Sequence, residues 1–388
     1  MSEWKKVKFL DVVHLNPRIS LEKGVEYPFV EMSNVVPCAR KPEKDVFKKY
    51  LGGGTKFEQG DTIVARIEPC LQNGKGFQCS YKQGFGSTEF IVFRPVNIND
   101  LDCDFLYYYM GQQSIREAMA KTMVGASGRQ RVNNKVFNDL QINLPPLSTQ
   151  HRIANILSRY DSLIENYQKQ IKLLEEAAQR LYKEWFIDLR FPGHENTNLI
   201  DGVPEGWEKK KLHEIAEVVM GSSPKSEFYN NDKQGLPFHQ GVGSYGTRFV
   251  DDNVYSTSIT RLAKPNSILF SVRAPVGRLN ITKNKIIIGR GLAAMNHKDG
   301  FQSFLFYMLK ERFFMDNIIG NGSIFASISK VELLDQEFIV PPMITIMAFE
   351  SLSSKLDKKI QGVDTQLRLL TEARDRLLPK LMSGEIEI

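Results

Sequence analysis

Between Thr149 and Phe186, apolar or small side chains recur at Ile153, Leu157, Tyr160, Ile164, Tyr167, Ile171, Leu174, Ala178, Leu181 and Trp185. The steps alternate four and three, the seam of a helix that packs lengthwise against another helix. Adding 196 to each number gives Phe349, Ser353, Leu356, Ile360, Val363, Leu367, Leu370, Arg374, Leu377 and Leu381. Most of these are apolar, and Leu352 is expected to serve in place of Ser353. The same offset carries Pro145-Pro146 to Pro341-Pro342, and Asp161, Gln170, Glu176 and Arg180 to Asp357, Gln366, Glu372 and Arg376. The spacing therefore predicts one long helix twice, each time behind a Pro-Pro stop. The chain reads as a tandem repeat of a large unit.

The segments ahead of the two helices repeat as well. Trp4 to Val12 opens the first half and Trp207 to Ile215 reopens the second, at an offset of 203 against 196 at the helices. The second unit is thus about seven residues shorter inside. In the first unit, Thr62–Arg66 and Glu89–Phe93 have strand composition between the turn signals Gly52-Gly53-Gly54, Gly60-Asp61, Asn73-Gly74 and Gly84-Phe85-Gly86. Asp104–Met123 predicts a helix, followed by a basic loop Gly125–Arg131, a helical turn at Asn134–Asp139 and a strand at Leu140–Leu144. In the second, Ser267–Arg273 and Lys285–Gly289 predict strands, Phe301–Phe314 a helix, Gly320–Ser323 a loop and Glu337–Val340 a strand. The Pro-, Gly- and Asn-rich stretch between the halves stops the first helix and lets the chain turn back. The expected fold is mixed α/β (α+β). It divides into a globular domain over 1–146, a long helix over 147–190, a linker over 191–206, a second globular domain over 207–342 and a second long helix over 343–388. Each helix is expected to run roughly 50 Å, with the two packed as an antiparallel coiled coil. That length corresponds to about 15 base pairs of duplex.

Composition narrows the class. The chain has 388 residues, enough for two or three cores. It carries a formal net charge of +6, which permits a nucleic-acid partner without demanding one. It has no run of apolar residues long enough to span a membrane, and its first residues lack an apolar signal region. Cys38, Cys70, Cys79 and Cys103 show no CxxC spacing, so free thiols, a cytoplasmic location and no metal site are expected.

Catalytic constellations are missing from the sequence. There is no GxxxxGK[ST], no GxGxxG behind a strand and no HExxH. Asn143-Leu144-Pro145-Pro146 and Val340-Pro341-Pro342 faintly resemble the Pro-Pro turn of amino-methyltransferases. Leu147 and Met343 stand where an aromatic residue would follow, so both are taken as structural turns. No catalytic residue and no cofactor is expected on this chain.

The ordered and duplicated segments resemble the specificity subunit of a type I restriction-modification system. The carriers are Ile268–Gly277, Ala65–Lys75, Gly84–Phe90, both Pro-Pro-helix segments and the restart Gly202-Val203-Pro204-Glu205-Gly206-Trp207. The resemblance implies two target-recognition domains, each reading one half of a bipartite double-stranded DNA target. It implies long helices that act as spacer and as docking surface for two modification subunits. Those partners would hold S-adenosylmethionine and methylate adenine, and separate restriction subunits would use ATP and Mg to cleave. Base readout needs Arg, Lys, Asn and Gln at base edges, with further cations on phosphates. The candidates are Arg66, Asn73, Lys75, Arg129, Gln130 and Arg131 in the first unit. In the second they are Arg248, Arg273, Arg278, Lys283, Arg290, Asn321 and Ser323. All lie in or beside Gly-rich turns, where loops carry function on a scaffold. Two rival readings are a self-sufficient methyltransferase or nuclease and a coiled-coil scaffold with no DNA role.

Overall fold

A computed structural model describes residues 4–126, 129–313 and 327–388. The chain forms two compact units, Met1–Gln168 with Thr365–Ile388, and Lys169–Asp364. Both boundaries fall inside long helices, Leu147–Phe186 and Met343–Ser383.

The first unit is built on a four-stranded antiparallel sheet in the order Val13–Leu15, Phe90–Pro95, Thr62–Ala65, Gly76–Gln78. Its central strands are apolar on both faces because both faces are covered. Successive side chains on a strand point to opposite sides. Val64, Ile91 and Phe93 therefore enter a core shared with the helices, while Ile63, Phe90 and Val92 enter a second core with Val30, Phe57 and Phe77. That second core is closed by another four-stranded sheet, Phe47–Lys49, Glu26–Val30, Gln83–Gly86, Thr55–Glu58, in which the middle pair is parallel. A short ladder joins Lys5–Lys8 to Gln141–Leu144 and delivers the chain to Pro145-Pro146.

The second unit repeats this plan, with one more strand in its second sheet. Its antiparallel sheet runs Ala216–Met220, Leu292–His297, Ile268–Ser271, Leu279–Ile281. The second sheet again contains one parallel pair, Leu236–His239 with Ile286–Ile288. The ladder Glu208–Lys211 with Glu337–Val340 again leads into Pro-Pro.

Within each unit the two long helices run antiparallel against one another. In the first, Ile153, Ala154 and Leu157 share a core with Leu381 and Met382. In the second, Tyr182, Trp185 and Phe186 close on Phe349 at ring separations of 5.8, 5.9 and 5.0 Å. The mixed α+β fold, the two similar globular parts and the antiparallel helix pair are as the periodicity predicted.

Two local expectations were not met. The predicted helix over 104–123 is two helices, Cys103–Gly111 and Gln113–Ala120. Gln112 between them is extended, at φ −63° and ψ 140°. At the doubtful seam position Ser353 is buried and Leu352 is 44% exposed. The Ser353 hydroxyl donates to the Phe349 carbonyl at 3.0 Å, so a small self-satisfied polar residue fills the seam where Leu would be larger. Arg374, also on the seam, is buried because it has a charge to meet. Its Nη1 donates to Asp161 Oδ1 at 2.9 Å, and the Tyr108 hydroxyl donates to Asp161 Oδ2 at 2.6 Å.

Among the described residues no helix is long and apolar enough to cross a membrane.

Candidate nucleic-acid interface

In the first unit the strand Thr62–Ala65 runs out of the sheet into a ribbon made with a distant segment. The Arg66 amide donates to the Glu89 carbonyl at 2.9 Å, and the Arg66 carbonyl accepts from the Val132 amide at 2.9 Å. Ile67 bridges Arg131 in antiparallel fashion, and the Glu68 amide donates to the Gln130 carbonyl at 3.0 Å. The ends of the basic loop are brought together, since Val124 and Arg131 exchange both backbone hydrogen bonds at 3.0 Å; Ser127 and Gly128 lie outside the described residues. Three of the candidates, Arg129, Gln130 and Arg131, are thereby laid beside Arg66.

The turn that follows, from a cis Glu68–Pro69 peptide, is held by Leu71 N–H to Ile67 O and Asn73 N–H to Pro69 O, both at 3.0 Å. Gly74 closes it at φ +71°, a left-handed conformation that favours glycine. Asn73 is exposed and Lys75 half-buried. The Lys75 ammonium donates to the Met32 carbonyl at 2.9 Å, which anchors its head on the neighbouring segment.

Charge on this surface is not all positive. Arg131 grips Glu89 with two nitrogens, Nε to Oε2 at 2.8 Å and Nη2 to Oε1 at 2.6 Å. Hydrogen bonding from Arg131 holds the Glu89 carboxyl below its usual range against the opposing pull of burial. The Arg66 side chain donates from Nη2 to Val132 O at 3.4 Å. Glu89 did not figure among the sequence candidates. It reads as a strand residue, and nothing local ties it to a partner 42 positions away.

The second unit builds the same ribbon. The Val272 amide donates to the Gly291 carbonyl, and the Val272 carbonyl accepts from Ile328, both at 2.9 Å. Arg273 bridges Ser327. The turn again follows a cis peptide, Ala274–Pro275. It is tied by Ser271, whose hydroxyl donates to Pro275 O at 2.6 Å and accepts from the Arg278 amide at 2.8 Å. Arg273 and Arg290 are exposed and Arg278 half-buried, all around this one turn.

Other candidates in the second unit lie elsewhere. Arg248 is corrected: it is 2% exposed and cannot present its charge to a duplex. Its Nη2 donates to Asp357 Oδ1 at 2.6 Å, Glu175 lies 3.5 Å from Nη1, and the guanidinium stacks 3.8 Å from the Phe306 ring centroid. The adjacent glycine marks a turn, but the side chain points into the core. Glu175 of the long helix is drawn into the same network. Lys283 is half-buried and pairs with Asp364 on the long helix, away from the ribbon. Asn321 and Ser323 lie outside the described residues.

Each unit therefore carries a Tyr–Asp–Arg network between its globular part and its helices. In the first it is Tyr108, Asp161 and Arg374. In the second it is Tyr307, Asp357 and Arg248, with the Tyr307 hydroxyl 2.8 Å from Asp357 Oδ1. Burial pushes both phenols well above their ordinary range.

The arrangement offers arginines on a stiffened two-strand ribbon, once per unit. Among the described residues no group of three or more His, Cys, Asp or Glu is placed to hold a metal.

Comparison with known proteins agrees with this duplication. The type I restriction modification DNA specificity domain matches residues 1–176 and again 204–360. A candidate type I restriction enzyme specificity subunit, MjaX of Methanocaldococcus jannaschii, is 31% identical over 307 residues, covering 77% of this chain and 71% of that protein. The MjaIX specificity subunit of the same organism is 30% identical, covering 74% and 69%. The crystal structure of a type I restriction-modification S subunit from M. genitalium shares the fold at a TM-score of 0.54 and 18% identity, over 98% of this chain and 96% of that one. With two matched repeats, each ending on a long helix, the chain belongs to the family of type I restriction-modification DNA specificity subunits.

Proposed function

We propose that each unit reads one half of a bipartite double-stranded DNA target, with the arginine-bearing ribbon and its turn as the reading surface. The observation that carries this is the ribbon's recurrence. Two surfaces of one chain each gather cations at a ribbon, Arg66 with the distant Arg129 and Arg131 in the first unit, and Arg273 with Arg278 and Arg290 around the turn in the second. A turn on a supported strand pair is narrow enough for the major groove, where base edges are distinguishable. The long helices set the spacing between the two half-sites, and their outer faces dock two modification subunits. Those partners, adenine methyltransferases, supply the S-adenosylmethionine chemistry. Restriction subunits with their ATP and Mg join the same complex, and the whole acts in the cytoplasm. This chain contributes recognition rather than bond-making.

The test is long-read mapping of methylated adenine in cells with and without this gene, beside reconstitution with the modification subunit. The expected result is loss of methylation at one split motif, two short blocks around an unread spacer, restored in vitro by the complete complex. Methylation by the isolated chain, or DNA binding that is insensitive to salt, would contradict the proposal.

A further inference from the structure

The two ribbons match in backbone but differ in where they carry charge, and the difference is chemical. The superposition follows from hydrogen bonds alone. Arg66 N–H to Glu89 O corresponds to Val272 N–H to Gly291 O, Val132 N–H to Arg66 O corresponds to Ile328 N–H to Val272 O, and the Ile67–Arg131 bridge corresponds to Arg273–Ser327. Residues paired across a bridge stand side by side on one face of the ribbon. Arg273 therefore stands at the Ile67 position, beside the place that Arg131 holds in the first unit and Ser327 holds in the second.

Among the described residues, Glu89 backs Arg131 in the first unit, and no carboxylate is placed against Arg273 in the second. Glu89 takes the Nε–Nη2 edge of Arg131. The Nη1 end of the guanidinium has no partner among the described residues, and the side chain is 48% exposed. A guanidinium held along one edge by a carboxylate presents its remaining two-nitrogen end in a fixed plane. That is the geometry for a bidentate contact to guanine O6 and N7. The second unit cannot copy this. Glu89 is replaced by Gly291, and a Cβ there would lie 2.4 Å from the Gln240 carbonyl oxygen.

Resting on the reading just proposed, we infer that Arg131 is a guanine-reading residue of the first unit and Glu89 its positioning residue. The half-site read by the first unit contains a guanine recognised stringently. The neighbouring arginine of the second unit, Arg273, has no carboxylate support among the described residues and discriminates less sharply.

The experiment uses the full chain in complex with its modification subunits. The unaltered complex first defines the split motif by long-read methylation mapping. Arg131→Ala, Glu89→Ala and Glu89→Gln are then assayed on duplexes in which each motif base pair is substituted in turn. Arg131→Ala is expected to lower discrimination at one guanine, in one half-site only, by about tenfold or more. Glu89→Ala follows it at the same position, and Glu89→Gln, which keeps an acceptor, falls between. The other half-site is unchanged in all three, which also shows that the variants fold and assemble.

Equal weakening on every sequence, with a shallower salt dependence, would make Arg131 a phosphate contact and overturn the inference while leaving DNA reading intact. Unaltered discrimination at every position would overturn it too. The absence of any split motif with the unaltered complex would overturn both this inference and the reading beneath it.

Discussion

Replacing Arg374 with alanine isolates what the buried network does for the first unit. Arg374 and Asp161 are 8% and 6% exposed. In the folded unit, Asp161 accepts from Arg374 Nη1 at 2.9 Å and from the Tyr108 hydroxyl at 2.6 Å. Arg374→Ala leaves a buried carboxylate with one neutral donor and no counter-charge, and too little exposure for water to replace the guanidinium. Breaking a buried pair from one side costs about 3–5 kcal/mol, because the surviving charge stays desolvated. Removing both charges, as in Arg374→Leu with Asp161→Asn, should recover most of that loss. The assay is native-state hydrogen exchange, followed in Phe105–Met110 for the first unit and Phe304–Leu309 for the second. At about 1.4 kcal/mol per factor of ten, the first segment should exchange roughly 150- to 5,000-fold faster and the second should hold. The reasoning fails if Arg374→Ala costs less than about 1 kcal/mol, if both units loosen alike, or if the double variant is as unstable as the single.

Other expectations follow from the same contacts. Ending the chain at Asp364 removes Leu381 and Met382 from the first unit's core. Proteolysis should then digest the first globular part while the second, whose residues are contiguous, survives. Gly86→Ala would place a Cβ 2.4 Å from the Val30 carbonyl oxygen, inside the parallel pair. It should destabilise the first unit by about 1–3 kcal/mol in urea unfolding, with the second as internal control. Burial holds His297 below its ordinary imidazole value, and its Nδ1 accepts the Asp299 amide at 3.0 Å. A lowered folded-state value means its contribution is full above about pH 6.5 and is lost as pH falls towards the folded value. The melting temperature of the second unit should drop between pH 7.5 and 5.5, and His297→Asn, which keeps an acceptor, should flatten that dependence. Arg129→Ala and Arg290→Ala should each lower the slope of log affinity against log salt by about 0.9 if the residue meets one phosphate.

The long helices were legible because a seven-residue repeat is a local property that tertiary structure rarely overrides. The duplication was legible for the same reason, at a fixed offset. What escaped the sequence were pairings between distant residues. Arg374 looked like a lapse in an apolar seam until Asp161 was placed opposite it. Ser353 looked like a defect, yet its hydroxyl closes on its own helix and the small side chain fits. Arg248 was misjudged because a turn glycine nearby says where the backbone bends and nothing of where the side chain goes. Glu89 was overlooked because its significance rests on Arg131, which only the ribbon brings within reach. The helix break at Gln112 carries no proline, and propensity alone does not mark it. The ribbons were half-read. Their turns were visible as Gly-rich stretches, but the second strand of each comes from a segment some sixty positions on, fixed by the sheet and not by local pattern.

The most direct test of two independent readers on one chain is an exchange of halves. Residues 1–146 would be replaced by the matching segment of a relative with a different split motif, and the motif methylated by the reconstituted complex mapped by long reads. The account predicts that one half of the motif changes to the relative's, while the other half and the spacer length stay as they were. A motif unchanged in both halves, or altered in both, would contradict it.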